Sequence, residues 1–255
     1  MRWLALIALI AAPLASPVAA QEEIVADLSQ NEVAITTTFT GSEILIFGAV
    51  KRGAEVDETY PLHALITVAA PSAPVVVRKK DRVAGIWVNT EEVHIDSAPA
   101  FYAIETSAAF ADTISDTEDL RYRISTDRAI RVVGAAEESD HPEDFQEALT
   151  RIRQTQGAYV VDEGGVTVTD EVLIRSSVGL PANLVEGDYE VRIFLTRNRE
   201  VVSTFETSIA VNKVGLERFL FSLSRERPLI YGLMAIAIAI AAGWLASAAF
   251  RVLRP

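Results

Sequence analysis

Leu184-Val-Glu-Gly187-Asp-Tyr189-Glu-Val-Arg-Ile-Phe-Leu195 decides the fold. A Leu-x-x-Gly-x-Tyr spacing leads into an apolar run, so Tyr189 stands near the start of a late strand, just past a corner. In two-sheet β-sandwiches a tyrosine at that place turns its hydroxyl back onto the backbone of the corner, forming a tyrosine corner. An ordinary half-buried strand tyrosine is the other reading. Asn198 marks the following turn, and residues 200–211 form the partner strand.

Working upstream, short strands recur with turn residues every ten or so positions. Residues 33–39 are rich in β-branched side chains, Thr40-Gly41-Ser42 is a turn, and 43–47 follow, which predicts a hairpin. The unbroken apolar run after Glu43 predicts burial on both faces. A polar loop over 51–60 precedes strands at 62–69, 75–78, 82–89 (centred on Trp87), 93–95 and 101–104. Gly164-Gly165 reads as a tight turn between strands at 158–161 and 166–168, and a further strand covers 171–178. Between the two strand-rich halves lies a helical insertion at about 107–156. Residues 107–124 hold one or two short helices, and 139–153 a longer one. Ser139 or Asp140 caps that helix, Pro142 fits its first turn, and Gly157 stops it. Phe145, Leu149 and Ile152 share its apolar face. The expected fold is therefore mainly β: an antiparallel immunoglobulin-like β-sandwich with a helical insertion, plus one C-terminal transmembrane helix.

The two ends set the topology. Residues 229–250 carry no charge, and as a helix they reach about 33 Å, enough for a ~30 Å hydrocarbon core. Arg251 and Arg254 follow in a cytoplasmic tail, 251–255. At the other end Arg2, a short apolar run broken by Pro13, and Ser16-Pro-Val-Ala-Ala20 have the layout of a signal peptide covering 1–20. That arrangement predicts a single-pass type I protein of the inner membrane, its domain 21–212 periplasmic. A juxtamembrane interfacial helix is expected at 213–228, with Leu216, Phe219, Leu220 and Leu223 on one face.

Composition narrows the function. Lys and Arg number 23 against 35 Asp and Glu, a net charge of −12. Without Arg2, Arg251 and Arg254 the balance is 20 against 35, or −15 for the exported part. Such a charge disfavours nucleic acid as a partner. There is no cysteine, so disulfides, thiol redox chemistry and thiolate metal sites are excluded. The three histidines form no HExxH pair, and neither a Gly-x-Ser-x-Gly elbow nor a phosphate-cradling loop is present. The chain is thus read as a non-enzyme with no catalytic residue and no cofactor.

Two patterns remain. Glu92, His94 and Asp96 alternate along a strand and share one face, a weak candidate metal site that a solvated sheet face would equally produce. In the anchor, Ala235, Ala239, Gly243 and Ser247 recur every four residues, the small-xxx-small spacing of packed membrane helices. Trp87, Phe101 and Tyr102 read as core aromatics rather than a ligand groove.

Several stretches resemble an uncharacterised alphaproteobacterial family of single-span transmembrane proteins with a signal sequence. They are Ala26-Asp-Leu-Ser29, Phe39-Thr-Gly-Ser-Glu-Ile-Leu-Ile-Phe-Gly48, Arg82-Val-Ala-Gly-Ile-Trp-Val-Asn89, Pro99-Ala-Phe-Tyr102 and Gly215-Leu-Glu-Arg218. The resemblance carries over no catalytic residue and implies an accessory role. The expected function is a membrane-anchored periplasmic interaction or accessory protein, partnered by an inner-membrane transporter. The alternative is a periplasmic module binding a small solute or metal.

Overall fold

The computed structural model describes residues 22–36, 39–52, 59–134, 139–214, 220 and 223–253. Two sheets face each other. The first has the order β1 (Glu23–Leu28), β3 (Ser42–Lys51), β10 (Leu173–Leu180), β9 (Val166–Thr169), every pair antiparallel. The second has the order β2 (Glu32–Ile35), β12 (Glu200–Lys213), β11 (Gly187–Arg197), β4 (His63–Ala69), β7 (Tyr102–Thr106), β8 (Tyr159–Glu163). Taken in chain order, β1, β3, β10 and β9 stand where strands A, B, E and D stand in an immunoglobulin-like sandwich. Strands β12, β11, β4 and β7 stand as G, F, C and C′. The expected sandwich class is what the structure shows.

The corner that pointed to this fold is built as its spacing predicts. Between β10 and β11 the chain crosses from one sheet to the other. There the Tyr189 hydroxyl donates to the Val185 carbonyl at 2.9 Å, four residues back. The ring is fully buried, its centroid 6.3 Å from that of Phe101. Gly187 has φ +142°, and a Cβ there would lie 2.6 Å from Pro71 Cγ. The glycine of the motif is therefore required by both backbone and space.

Strands β4 and β11 are buried on both faces, and this dictates the layering. Ala64, Ile66 and Val68 of β4, with Tyr189, Val191, Ile193 and Leu195 of β11, face the four-stranded sheet in one core. The intervening Leu65 and Phe194 face the other way, into a second core with Tyr102, Ile104 and Tyr159. Helices cover that second face: α1 (Phe110–Thr113), α2 (Asp116–Tyr122), α3 (Thr126–Ala129) and α4 (Pro142–Thr155). They contribute Phe145 and Leu149, while the intervening loops supply Ile114, Ile124 and Ile130. Arg192 ties the helical layer to the sheet: it donates to the Tyr122 carbonyl at 2.8 Å and lies 5.4 Å over the Phe194 ring.

Several expectations need correction. β2 and β3 are not a hairpin. The chain passes from the first sheet at β1 to the second at β2 and back, so β3 pairs with β1 instead. β3 is not buried on both faces, since Ile44 and Ile46 point into the core but Phe47 is 44% exposed. Pairing is not wholly antiparallel either: β2 runs parallel to β12, and β8 parallel to β7. A parallel neighbour needs a long crossover, and α1–α4 supply one between β7 and β8. Gly164-Gly165 is a turn between strands as expected, and it leads from the second sheet into the first. The N-cap of α4 is His141, with no side-chain cap bond, in place of Ser139 or Asp140. Ile152 is exposed, and Thr150 is buried in its stead. The strand expected around Trp87 starts at Ile86 and runs on to Pro99. Ala84 and Gly85, at φ 50° and 89°, form the turn between β5 (Ser72–Val83) and β6 (Ile86–Pro99). Phe101 and Tyr102 are core aromatics as expected, but Trp87 is not. The signal segment 1–20 lies outside the described residues, as do 215–219, 221 and 222 of the expected juxtamembrane helix, whose residues 223–226 are helical.

Removing the corner hydroxyl tests this account. Tyr189→Phe keeps the ring but leaves the Val185 carbonyl without its donor, a loss of about 1 kcal/mol. Thermal unfolding of the full chain in detergent should show a melting temperature lower by about 2–4 °C.

Candidate interaction surfaces

β5 and β6 form a two-stranded ribbon inserted between β4 and β7. Its base is part of the second core through Val77, Val93 and Ile95. From Arg78 to Glu92 every residue is exposed except the half-buried Val88. Both faces of the distal ribbon therefore meet solvent. At its end Val83, Ile86 and Trp87 are 52%, 65% and 69% exposed.

The proposed ligand trio lies near the base of this ribbon. Glu92, His94 and Asp96 are exposed and share a face, as their spacing predicts. Two of them have other work. Glu92 pairs across the ribbon with Arg78 at 2.9 Å, and Asp96 accepts the Val133 backbone N–H at 2.5 Å, fastening the ribbon to the insertion. Among the described residues no group of three or more His, Cys, Asp or Glu side chains is placed to hold a metal ion.

A second apolar surface is the outer face of the four-stranded sheet. In its register Val25, Ala49 and Leu173 lie side by side across three strands. Phe47 follows on the same face two residues along β3. Val25, Phe47 and Leu173 are 59%, 44% and 56% exposed. Contiguous apolar rows of this kind are uncommon on surfaces that face only water.

Two polar features are interior. Arg197 is 7% exposed and donates to Glu22, Glu171 and the Tyr60 carbonyl. This clamp fixes the beginning of β1 to the end of β11. Beside it a cleft of about 560 Å³ is lined by Glu22, Glu23, Tyr122 and residues 201–204 of β12. The other feature is Glu105 on β7, 4% exposed, in register with Asp162 of β8. Its Oε2 has no hydrogen-bond partner. Burial, then the adjacent Asp162 carboxylate, pushes the Glu105 carboxyl up to about 7. A Cβ at position 165 would meet that oxygen at 1.8 Å, so a larger residue there would have to displace the Glu105 carboxyl. Nothing in the sequence marked Glu105.

Beyond the domain, α5 (Pro228–Leu253) is long and apolar enough to cross a membrane, with a mean hydropathy of 2.2 over Pro228–Ala248. Ala235, Ala239, Gly243 and Ser247 fall along one side of it, and a Cβ at Gly243 would meet nothing within 4 Å. A family model described as "Putative transmembrane protein (Alph_Pro_TM)" matches residues 23–252. The chain belongs to this family. The match runs through both the sandwich and α5. No curated protein matches the sequence. Among solved structures, the sporulation control protein Spo0M from Bacillus subtilis aligns at TM-score 0.27 and 10% identity, over 80% of this chain and 55% of that one. The chain thus spans about half of that protein, and so loose a superposition carries nothing further.

Glu105 gives the site a measurable signature. Its carboxyl titrates near 7 in the folded protein against 4.5 ordinarily, so between those values the folded state holds a proton that the unfolded state has lost. Stability from this group is present at low pH and disappears as pH rises through about 7. Glu105→Gln keeps the shape and stays neutral. The melting temperature of the variant relative to the parent should therefore climb between pH 5 and pH 8, and level off above.

Proposed function

We propose that this protein is a membrane-anchored periplasmic interaction subunit of the inner membrane, whose domain contacts a larger membrane protein of the transporter class. The observation that carries the reading is the apolar row Val25–Ala49–Leu173, exposed at Val25 and Leu173, with exposed Phe47 beside it between Asp27 and Arg175. An apolar face of this kind on a domain of strongly acidic composition fits a second protein better than it fits water. The signal-like residues 1–20 and the basic Arg251 and Arg254 beyond the span support the orientation. The every-fourth small residues Ala235, Ala239, Gly243 and Ser247 support a second contact within the bilayer.

The test is photo-crosslinking in native membranes. A photoreactive residue at position 47 or 173 should capture one defined membrane protein. Leu173→Asp should cut capture from position 47 at least about tenfold, since a desolvated charge in an apolar contact costs well over 1.4 kcal/mol. Leu173 is exposed, so the melting temperature should hold. Gly243→Ile should likewise weaken co-purification of that partner. Capture of nothing, or only of a second copy of this chain, would overturn the reading.

A further inference from the structure

We infer that the Ala84–Gly85 end of the β5–β6 ribbon docks on the anionic surface of the bilayer that holds α5, giving the domain a second point of attachment. Four observations lead there. The ribbon beyond Val77 and Val93 is exposed on both faces, and a lone two-stranded ribbon is marginal in water. Its end carries Val83, Ile86 and Trp87, all more than half exposed. Tryptophan, with an apolar ring and an N–H donor, is enriched at the headgroup level of membranes.

Charge is the third observation. On a chain of net charge −12, the stretch Arg78-Lys79-Lys80-Asp81-Arg82 is basic. Arg78 and Lys79 pair across the ribbon with Glu92 and Glu91, and Asp81 accepts from Thr90. Lys80 and Arg82, on either side of Asp81, are the basic residues nearest the end and leave it a net charge of +1. The Arg82 Nε donates to the Gly85 carbonyl at 3.3 Å, which holds the guanidinium at the turn. An apolar end with a basic collar matches lipid phosphates over acyl chains, while the acidic remainder is repelled by the same surface.

The fourth is reach. The domain ends at Lys213 and α5 begins at Pro228, a separation the chain can stretch to at most about 50 Å. The domain is therefore never far from a bilayer, and docking is intramolecular in effect.

The chain has no cysteine, so Ile86→Cys gives a single labelling site. The full-length protein, labelled there with the polarity-sensitive fluorophore NBD, is reconstituted in phosphatidylcholine vesicles with or without phosphatidylglycerol. Gln154→Cys, exposed on α4, is the reference. With phosphatidylglycerol the label at 86 should shift to the blue and be quenched by doxyl-labelled lipids, and the label at 154 should do neither. Lys80→Glu with Arg82→Glu should lower the docked-to-free ratio at least about tenfold. Both positions are exposed, so folding is unaffected. A label at 86 that stays as unquenched as the one at 154 overturns the proposal. So does quenching indifferent to both phosphatidylglycerol and the charge reversal. The vesicles contain no other protein, so this result stands apart from the partner test above.

Discussion

The two-sided burial of the β4–β11 pair is the constraint on which the rest of the structure depends. Adjacent residues on these strands point into different cores, Ile193 toward the four-stranded sheet and Phe194 toward the helices. A sheet apolar on both faces cannot leave either to water, and each buried side chain of this size adds about 1.5–3 kcal/mol. The four-stranded sheet covers one face, as in any sandwich. The other needs a cover that a plain immunoglobulin-like domain lacks. The chain supplies it from the segments on either side of β7: the ribbon base before, and α1–α4 after. The helical insertion is therefore part of the core.

That cover explains the polar groups that look misplaced. Arg192 on the helix-facing side of β11 meets the last carbonyls of α2 and a ring, where an apolar residue would leave those carbonyls unpaired. Tyr102 and Tyr159, each held near 12 by burial, send their hydroxyls to the Ile124 and Pro99 carbonyls, binding loop backbone to the second core. Glu105 points into a place where the crossover brings β8 beside β7, and burial there, followed by the Asp162 carboxylate of that added parallel strand, raises its carboxyl.

What was legible in the sequence follows from how local each signal is. The tyrosine corner was legible because residue, glycine and acceptor lie within five positions, and the bond closes as the spacing implies. The start of α4 was legible in Pro142, though not its cap. The β3 reading failed because an apolar run shows hydrophobicity but not direction, and Phe47 spends its ring on an outer face. The β2–β3 hairpin failed because proximity in sequence hides a strand that changes sheets. The ribbon turn was missed since Ala84-Gly85 is bracketed by strand-forming Val83, Ile86 and Trp87. Asp96 and Glu92 looked like ligands because spacing shows which side chains share a face but not what else they touch. Glu105 left no trace at all, because its environment is made by residues 57 positions away in Asp162.

The layering also separates the surfaces left over for function. The ribbon is rooted in the second core, on the helical side of the six-stranded sheet. The Val25–Phe47–Leu173 face lies on the far side of the four-stranded sheet, with both cores between them. A bilayer at the ribbon end and a protein on the sheet face therefore draw on different residues and need not compete. With α5 in the same bilayer, two attachments would restrict how the domain turns, and a restricted domain loses less rotational freedom when a partner binds. The ribbon's role on this reading is to orient the sheet face rather than to recognise anything itself. Its sequence agrees, since Val83, Ile86 and Trp87 offer apolar area and Lys80 and Arg82 offer charge, but neither set supplies the directional polar pattern that specific recognition requires.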